Sequence, residues 1–365
     1  MAEPPLSEKV KFLSEAHARG RFPGETLALE THMSWVFLKG DTVFKLKKPV
    51  RFSYLDFSTL ARREAACRAE LRLNRRLAPT VYVDVVPLRL GSEGLSVGGE
   101  GETVDWLVVM RTLDRRCMFD HVLQSNHVGP LQIDRVTQIL APFYRGAARS
   151  LLSPSSHLRE WERNVSENRK VLLQPVFGLP AGQIWRIDRI QRRFLAERRD
   201  LLIGRVRAKR IVDGHGDLRP EHIWLGDPPQ IIDRLEFNDR LRAVDPFDEV
   251  AFLGVECERL GAAWVGRRIM QKLAPALHDA IPEALFRFYR CYRATLRARL
   301  TIAHLLEPKP RTPDKWPRLA RVYLGIAERE AAQLERFLRR RADRPAHGAH
   351  EAGRWPAQRD RPMGG

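Results

Sequence analysis

The apolar period of this chain changes near Leu113, and that change constrains the fold more than any other feature. Between Thr26 and Met110, apolar residues sit in short alternating runs bounded by turn residues, the signature of half-buried strands. These runs are Thr26 to Glu30, Trp35 to Lys39, Val43 to Lys47 after a Gly40-Asp41 turn, Val81 to Leu90, and Asp105 to Met110. One helical stretch, from about Ser58 to Leu77, interrupts them and closes at Asn74-Arg75-Arg76 and Ala78-Pro79. Beyond Leu113 the spacing becomes helical, as in Ile190, Phe194, Leu201 and Leu202, in Leu285, Phe288, Tyr292, Leu296 and Leu300, and in Leu319, Val322, Ile326, Leu334 and Phe337. The expectation is α+β: a small five-stranded antiparallel lobe over 25–113 and a larger, mainly helical lobe over 114–338, preceded by an N-terminal helical segment over 1–24.

Composition narrows the class. With 365 residues, 44% of them hydrophobic and 30% charged, the chain has the make-up of an ordinary globular protein with a sizeable core. No apolar run approaches the length of a membrane span, and the polar start from Met1 to Lys11 lacks an apolar signal region, so residence in the cytoplasm is expected, with no membrane partner. Cys67, Cys117, Cys257 and Cys291 are far apart and are expected to be reduced, buried thiols. The net charge of +18 comes largely from arginines spread over almost every helical stretch, which reads as solvated helix faces rather than a nucleic-acid stripe. The densest basic stretch, 339–365, is rich in Arg, Pro, Gly and His and is expected to be a disordered basic tail.

Within the helical part, Ile211 to Asp248 is an island of short apolar runs broken by Gly226-Asp227-Pro228-Pro229, and it reads as a loop and a hairpin. It holds His215-Gly216-Asp217-Leu218-Arg219-Pro220-Glu221-His222, then Ile231-Ile232-Asp233. These residues resemble the catalytic loop H-R-D-L-K-P-E-N and the following metal-binding aspartate of protein kinases. They resemble still more the H-G-D-x-x-x-x-N loop of the aminoglycoside phosphotransferase and choline kinase superfamily. On these motifs the chain is identified as a member of the uncharacterised bacterial branch labelled aminoglycoside phosphotransferase family, with similarity from about Thr31 to about Gly261. The resemblance implies a bilobal protein-kinase-like fold and an ATP-dependent transfer to a hydroxyl of a small-molecule acceptor.

Phosphoryl transfer passes through a loose transition state, so a kinase chiefly positions the acceptor in line and neutralises phosphate oxygens. The resemblance assigns Asp217 to the base that orients the acceptor hydroxyl and Asp233 to Mg2+ at the β- and γ-phosphates. Arg219 stands where the kinase loop has lysine; it binds the γ-phosphate or pairs with Glu221 at the surface. His215 is expected to be structural, bonding backbone near Asp233. His222 departs from the family, which has a metal-binding asparagine there, and an imidazole nitrogen suits Mn2+ or zinc better than Mg2+. Three outcomes stay open: His222 binds a softer ion, it hydrogen-bonds phosphate or Asp217, or nucleotide is bound without turnover. Asp245 and Asp248 are expected to brace the loop.

In the small lobe, Val43-Phe44-Lys45 matches the alternation of the kinase V-A-x-K strand, so Lys45 is expected at the α- and β-phosphates, with Glu70 as its acidic partner and Glu64 as the fallback. Lys47 and Lys48 are expected to be solvated edge lysines. There is no glycine-rich loop; Thr31-His32-Met33-Ser34 offers hydroxyls and N–H groups instead, with Ser34 as a phosphate contact. Met110 is placed near the adenine, with the next backbone groups reading its edge. Gly261 to Arg268 reads G-x-x-x-x-G-R-R and lacks the Lys and Ser/Thr of a phosphate loop. Arg287, Arg290, Arg293 and Arg297 share one helix and suggest an anionic acceptor. Two rivals to an enzyme remain: a pseudokinase or nucleotide-binding module, motivated by His222, and, ranked last, a nucleic-acid-associated protein, motivated by the charge.

Overall fold

The structure, a computed structural model, describes residues 3–15, 26–52, 54–125, 127–307, 310 and 312–342. The chain divides into two compact units, one formed by Met1–Ala147 with Asp213–Val244, the other by Ala148–Val212 with Asp245–Gly365.

The first unit opens with helix α1 (Leu6–Glu15) and strands β1 (Thr26–Glu30), β2 (Ser34–Lys39) and β3 (Thr42–Lys47). A short hairpin, β4 (Arg51–Phe52) and β5 (Leu55–Asp56), leads to α2 (Leu60–Asn74), which the Thr59 hydroxyl caps by accepting the Arg62 N–H. Strands β6 (Tyr82–Gly91), β7 (Gly94–Val97) and β8 (Glu102–Arg111) complete an antiparallel sheet in the order β1-β2-β3-β8-β6-β7. The sheet therefore has six strands, not five. The additional one, β7, pairs with the end of β6 from Leu88↔Val97 to Gly91↔Gly94. Its single buried apolar residue, Leu95, lies among five glycines, a composition that reads as loop. Helices α3 (Phe119–Gln124) and α4 (Pro130–Arg145), the hairpin Ile223–Trp224 with Gln230–Ile231, and the short helix α8 (Asp239–Arg242) belong to this unit too.

Strand alternation sorts the core of this unit. Phe37, Phe44, Leu46, Leu88 and Leu107 pack with Leu13 of α1. Cys67 of α2 packs with Ala78, Val81, Tyr82, Val85 and Val108. β3 lies between β2 and β8, with Lys45 opposite Val36 and Val108, so that lysine emerges from the centre of the sheet on the side of α2.

The second unit is helical: α5 (Pro154–Leu172), α6 (Ala181–Glu197), α7 (Arg199–Arg207), α9 (Pro246–Arg259), α10 (Trp264–Ala276), α11 (Glu283–Ala303) and α12 (Lys315–Ala342). α12 carries on past Arg339; the rest of the expected basic tail lies outside the described residues. Trp161 stacks on Tyr289 and meets Phe288 and Tyr292 edge-on, a dense aromatic centre. The arginines of α11 are engaged within the unit: Arg287 with Glu283 and Glu330, Arg290 with Glu330 and Glu258, Arg293 with Asp248, and Arg297 with Glu256. This corrects the suggestion of an anion-binding face, because each cation already has a carboxylate. Cys67, Cys257 and Cys291 are buried, while Cys117 is only half-buried. Among the described residues, no helix is long and apolar enough to cross a membrane.

The G-x-x-x-x-G run has a packing explanation. Gly266 of α10 lies so close to Gly254 of α9 that a Cβ on Gly266 would stand 2.8 Å from the Gly254 Cα. Gly266→Ala is therefore expected to lower the free energy of unfolding by about 1–3 kcal/mol through overpacking. Gly325→Ala, in α12 with its nearest atom at 3.7 Å, is expected to be neutral or stabilising by up to about 1 kcal/mol. Urea unfolding of both variants checks the contrast.

Candidate active site

Because Phe44 and Leu46 face the α1 side, Val43, Lys45 and Lys47 face α2, which answers with Cys67, Glu70 and Asn74 at helical spacing. Glu70 is completely buried and its two oxygens are divided between lysines: Oε1 accepts from Lys45 Nζ at 2.8 Å and Oε2 from Lys47 Nζ at 2.6 Å. Lys45 also donates to Asp233 Oδ1 at 2.8 Å, 188 residues away in the chain, and Lys47 to Glu236 Oε1 at 2.5 Å. Burial pulls the Lys45 ammonium down in pKa, but Asp233 and Glu70 outweigh it and hold the group well above its ordinary value. Lys45 in turn holds the Asp233 carboxyl far below the usual range. Burial pushes Glu236 up, whereas for Glu70 two lysines overcome burial and pull it down.

Asp233 sits at φ 61°, a left-handed conformation that non-glycine residues seldom adopt. The surroundings enforce it. The Asp233 N–H donates to the hydroxyl of buried Tyr82 at 3.1 Å. Asn74, one turn after Glu70 on α2, clasps the next residue: its Oδ1 accepts the Arg234 N–H at 2.8 Å and its Nδ2 donates to the Arg234 carbonyl at 3.2 Å. The fully buried Arg234 side chain then reaches the carbonyls of Gly214 at 2.8 Å and Asp213 at 2.9 Å, at the start of the catalytic-loop candidate.

Two histidines order that loop, and their partners set their tautomers. His215 donates from Nε2 to the Ile232 carbonyl at 2.9 Å, while its Nδ1 accepts the Asp217 N–H at 3.3 Å. Burial keeps this ring neutral, with its pKa pushed down to about 3. His222 donates from Nδ1 to the Asp217 carbonyl at 2.8 Å, which leaves Nε2 as an acceptor, 3.3 Å from Arg219 Nη2 and 3.5 Å from Asp233 Oδ2. Arg219 also meets Asp217 Oδ2 and Glu221 Oε1, each at 3.0 Å. The Asp217 carboxylate, the Arg219 cation, the His222 ring and the Asp233 carboxylate are thus joined in one chain of contacts.

Comparison with solved structures bears on this arrangement. A choline/ethanolamine kinase family protein from Mesorhizobium loti aligns over 90% of this chain and 99% of its own, with a TM-score of 0.51 and 16% identity. Choline kinase from Cryptosporidium parvum aligns over 90% and 96%, with a TM-score of 0.52 and 9% identity. The chain has the kinase-like fold of these two proteins. By sequence it is 34% identical over 287 residues to uncharacterised proteins of Mycobacterium bovis and Mycobacterium tuberculosis. That match takes in 77% of this chain but spans only about half, 55%, of the relatives' length. No protein-family model matches.

Of the residues singled out from the sequence, Lys45, Glu70, Asp217, Arg219, His222 and Asp233 are linked by the contacts above. Glu64 instead pairs with Arg68 at 2.8 Å on the outer face of α2. Lys47 is not a solvated edge lysine: it is 1% exposed, because strand alternation places it beside Lys45 and two carboxylates neutralise it. Lys48, on the other face, pairs with Glu30 at 2.6 Å and lies over Trp35. Ser34 is buried opposite Lys47, and its N–H is donated to Thr31 Oγ1 at 3.0 Å, so this turn closes on itself. Met110 pairs with Val43 and Tyr82 at the end of β8, but the N–H groups of Arg111 and Thr112 are donated to Val81 and Asp41. Asp245 caps α9 and binds Arg205 and Tyr289, and Asp248 binds Arg293; these partners brace helices of the second unit. Asn74, Tyr82, Arg234 and Glu236 were not anticipated. Asn74 alone carried a signal, standing four residues after Glu70 on the same helix face.

His215 makes stability depend on pH. Its folded pKa of about 3 lies below its ordinary 6.5, so the unfolded chain takes up the proton first as pH falls. The stabilisation is complete above pH 6.5 and is lost as pH falls toward 3. The free energy of unfolding should drop by up to about 1.4 kcal/mol per pH unit on this account. His157, held at about 4 by burial in the second unit, adds a similar slope. Denaturation series should show a shallower acid limb for His215→Gln; a limb parallel to the wild type refutes this assignment.

Proposed function

We propose that the chain is an ATP-dependent phosphotransferase acting on a hydroxyl of a small-molecule acceptor. The observation that carries this is Lys45, bound at once to Glu70 on the helix behind it and to Asp233 from the distant loop. A lysine held in this way is aimed at the α- and β-phosphates. Asp217 orients the acceptor hydroxyl as base, with Arg219 as its present partner. Arg219 can trade its present carboxylates for the γ-phosphate. Because the N–H groups of Arg111 and Thr112 are occupied, contact with the adenine edge falls to groups beyond them, with Met110 beside the ring.

The residues present fit a divalent cation. Asp233 Oδ2 is the oxygen not taken by Lys45, and it stands 3.5 Å from His222 Nε2, a separation two cis ligands of one ion can adopt. No group of three or more His, Cys, Asp or Glu residues suited to a metal is found among the described residues, so phosphate and water oxygens would fill the other positions. When bound, the cation neutralises charge on the phosphates. A nitrogen donor in this place favours Mn2+ over Mg2+.

The pseudokinase alternative is favoured by one observation, the contact of Arg219 with His222 Nε2, which occupies that donor. Incubating labelled ATP with a metabolite extract, with Mg2+ and Mn2+ in parallel, separates the two. An enzyme transfers label, and Asp217→Asn lowers turnover by about 10²–10⁴-fold with an unchanged fold. A pseudokinase is stabilised by nucleotide but transfers nothing. In the same assay, His222→Asn should shift the ratio of rates toward Mg2+; an unchanged ratio removes His222 from the cation site.

A further inference from the structure

Lys47 has no part in the proposed transfer, yet it is buried more deeply than Lys45. Its ammonium donates to Glu70 Oε2 at 2.6 Å and Glu236 Oε1 at 2.5 Å and lies 4.9 Å from the centre of the Phe57 ring. At 1% exposure it is enclosed by protein and is not available to a phosphate. Its closeness creates an electrostatic problem. Two ammonium groups share the single carboxylate of Glu70, and in a poorly solvated interior an ammonium without its own counter-charge competes for both oxygens.

In the structure, three carboxylates, Glu70, Asp233 and Glu236, face the two lysines. If Asp233 turns from Lys45 to a cation, as the proposed phosphotransferase function requires, Lys45 keeps only Glu70. Lys47 would then contest that partner, were it not for Glu236. Resting on that function, we infer that Glu236 is a positioning residue: by neutralising Lys47 it reserves Glu70 Oε1 for Lys45 and so holds Lys45 toward the nucleotide. It lies three residues after Asp233, on the segment that Asn74 clasps at Arg234, so one piece of backbone places both acids.

The test compares wild type, Glu236→Gln, Glu236→Asp and the double variant Lys47→Met/Glu236→Gln. Calorimetry gives the affinity for ADP and a non-hydrolysable ATP analogue, and mass spectrometry gives the acylation rate of Lys45 in protein supplied with Mn2+ but no nucleotide. Glu236→Gln should weaken nucleotide binding by about tenfold, while the double variant, which removes both the competitor and its partner, should recover to within about threefold of wild type. Glu236→Asp should stay near wild type. Lys45 should be acylated faster in Glu236→Gln and return toward the wild-type rate in the double variant. A merely structural pair predicts that the double variant regains stability while the Lys45 acylation rate stays the same in all variants. That result, or wild-type affinity in Glu236→Gln, overturns the inference. Failure of the wild type to bind nucleotide would sink the phosphotransferase function alone; the acylation rates would still decide the role of Glu236, with an unaltered Lys45 rate in Glu236→Gln overturning it.

Discussion

An ammonium group buried in the middle of a sheet is tolerable only if carboxylates meet it, and the Lys45–Glu70 contact is where the first unit satisfies that demand. Most of the candidate site can be traced from it. β3 must lie at the centre of the sheet for Lys45 to emerge over α2, and α2 must turn Glu70 inward, which its cap at Thr59 and the packing of Cys67 against Val108 secure. Once Glu70 is placed, Asn74 follows on the same face and captures Arg234, and this capture places Asp233 beside Lys45. The left-handed backbone at Asp233 is maintained by the same clasp together with Tyr82, so strain at that residue is matched by hydrogen bonds that are costly to lose in the interior.

Arginine has an internal role in this protein that its abundance obscures. Arg234 ties the two ends of the loop region together through backbone carbonyls. Arg63, also buried, bonds to Asp105 of β8 at 2.8 Å, while Lys9 of α1 bonds to the other oxygen of the same carboxylate at 2.7 Å. In the helical unit, Glu256 is fully buried yet meets Arg259, Arg297 and the Tyr323 hydroxyl. Guanidinium suits such positions, since its fork serves several acceptors at once and stays charged.

The candidate site was legible where its chemistry lies in contiguous residues. The run from His215 to His222, and Asp233 after two isoleucines, carried their resemblance in order and spacing alone, and Lys45 could be chosen from strand alternation. Glu70 was preferred to Glu64 by helical spacing with Leu73 and Leu77, and the buried ion pair agrees with that spacing. Lys47 was misjudged because alternation says only which face a side chain takes, not whether a second acid will come to meet it. Glu236 arrives from a loop nearly two hundred residues on, and nothing local to Lys47 announces it. Strand β7 escaped for a related reason: with one buried leucine in a glycine-rich stretch, its identity depends on the partner strand.

The sequence by itself determined the change from alternating to helical periodicity, the loop motif and hence the class of fold, because these are properties of neighbours along the chain. Only the tertiary structure decided which charges are neutralised and by what: that Glu70 serves two lysines, that His222 turns its Nε2 toward Asp233, and that the arginines of α11 are bound to carboxylates. The physical reason is the strength of electrostatic interactions in a dry interior. There, the state of an ionisable side chain depends on whichever opposite charge folding brings within a few ångströms, and that partner is seldom a neighbour in sequence.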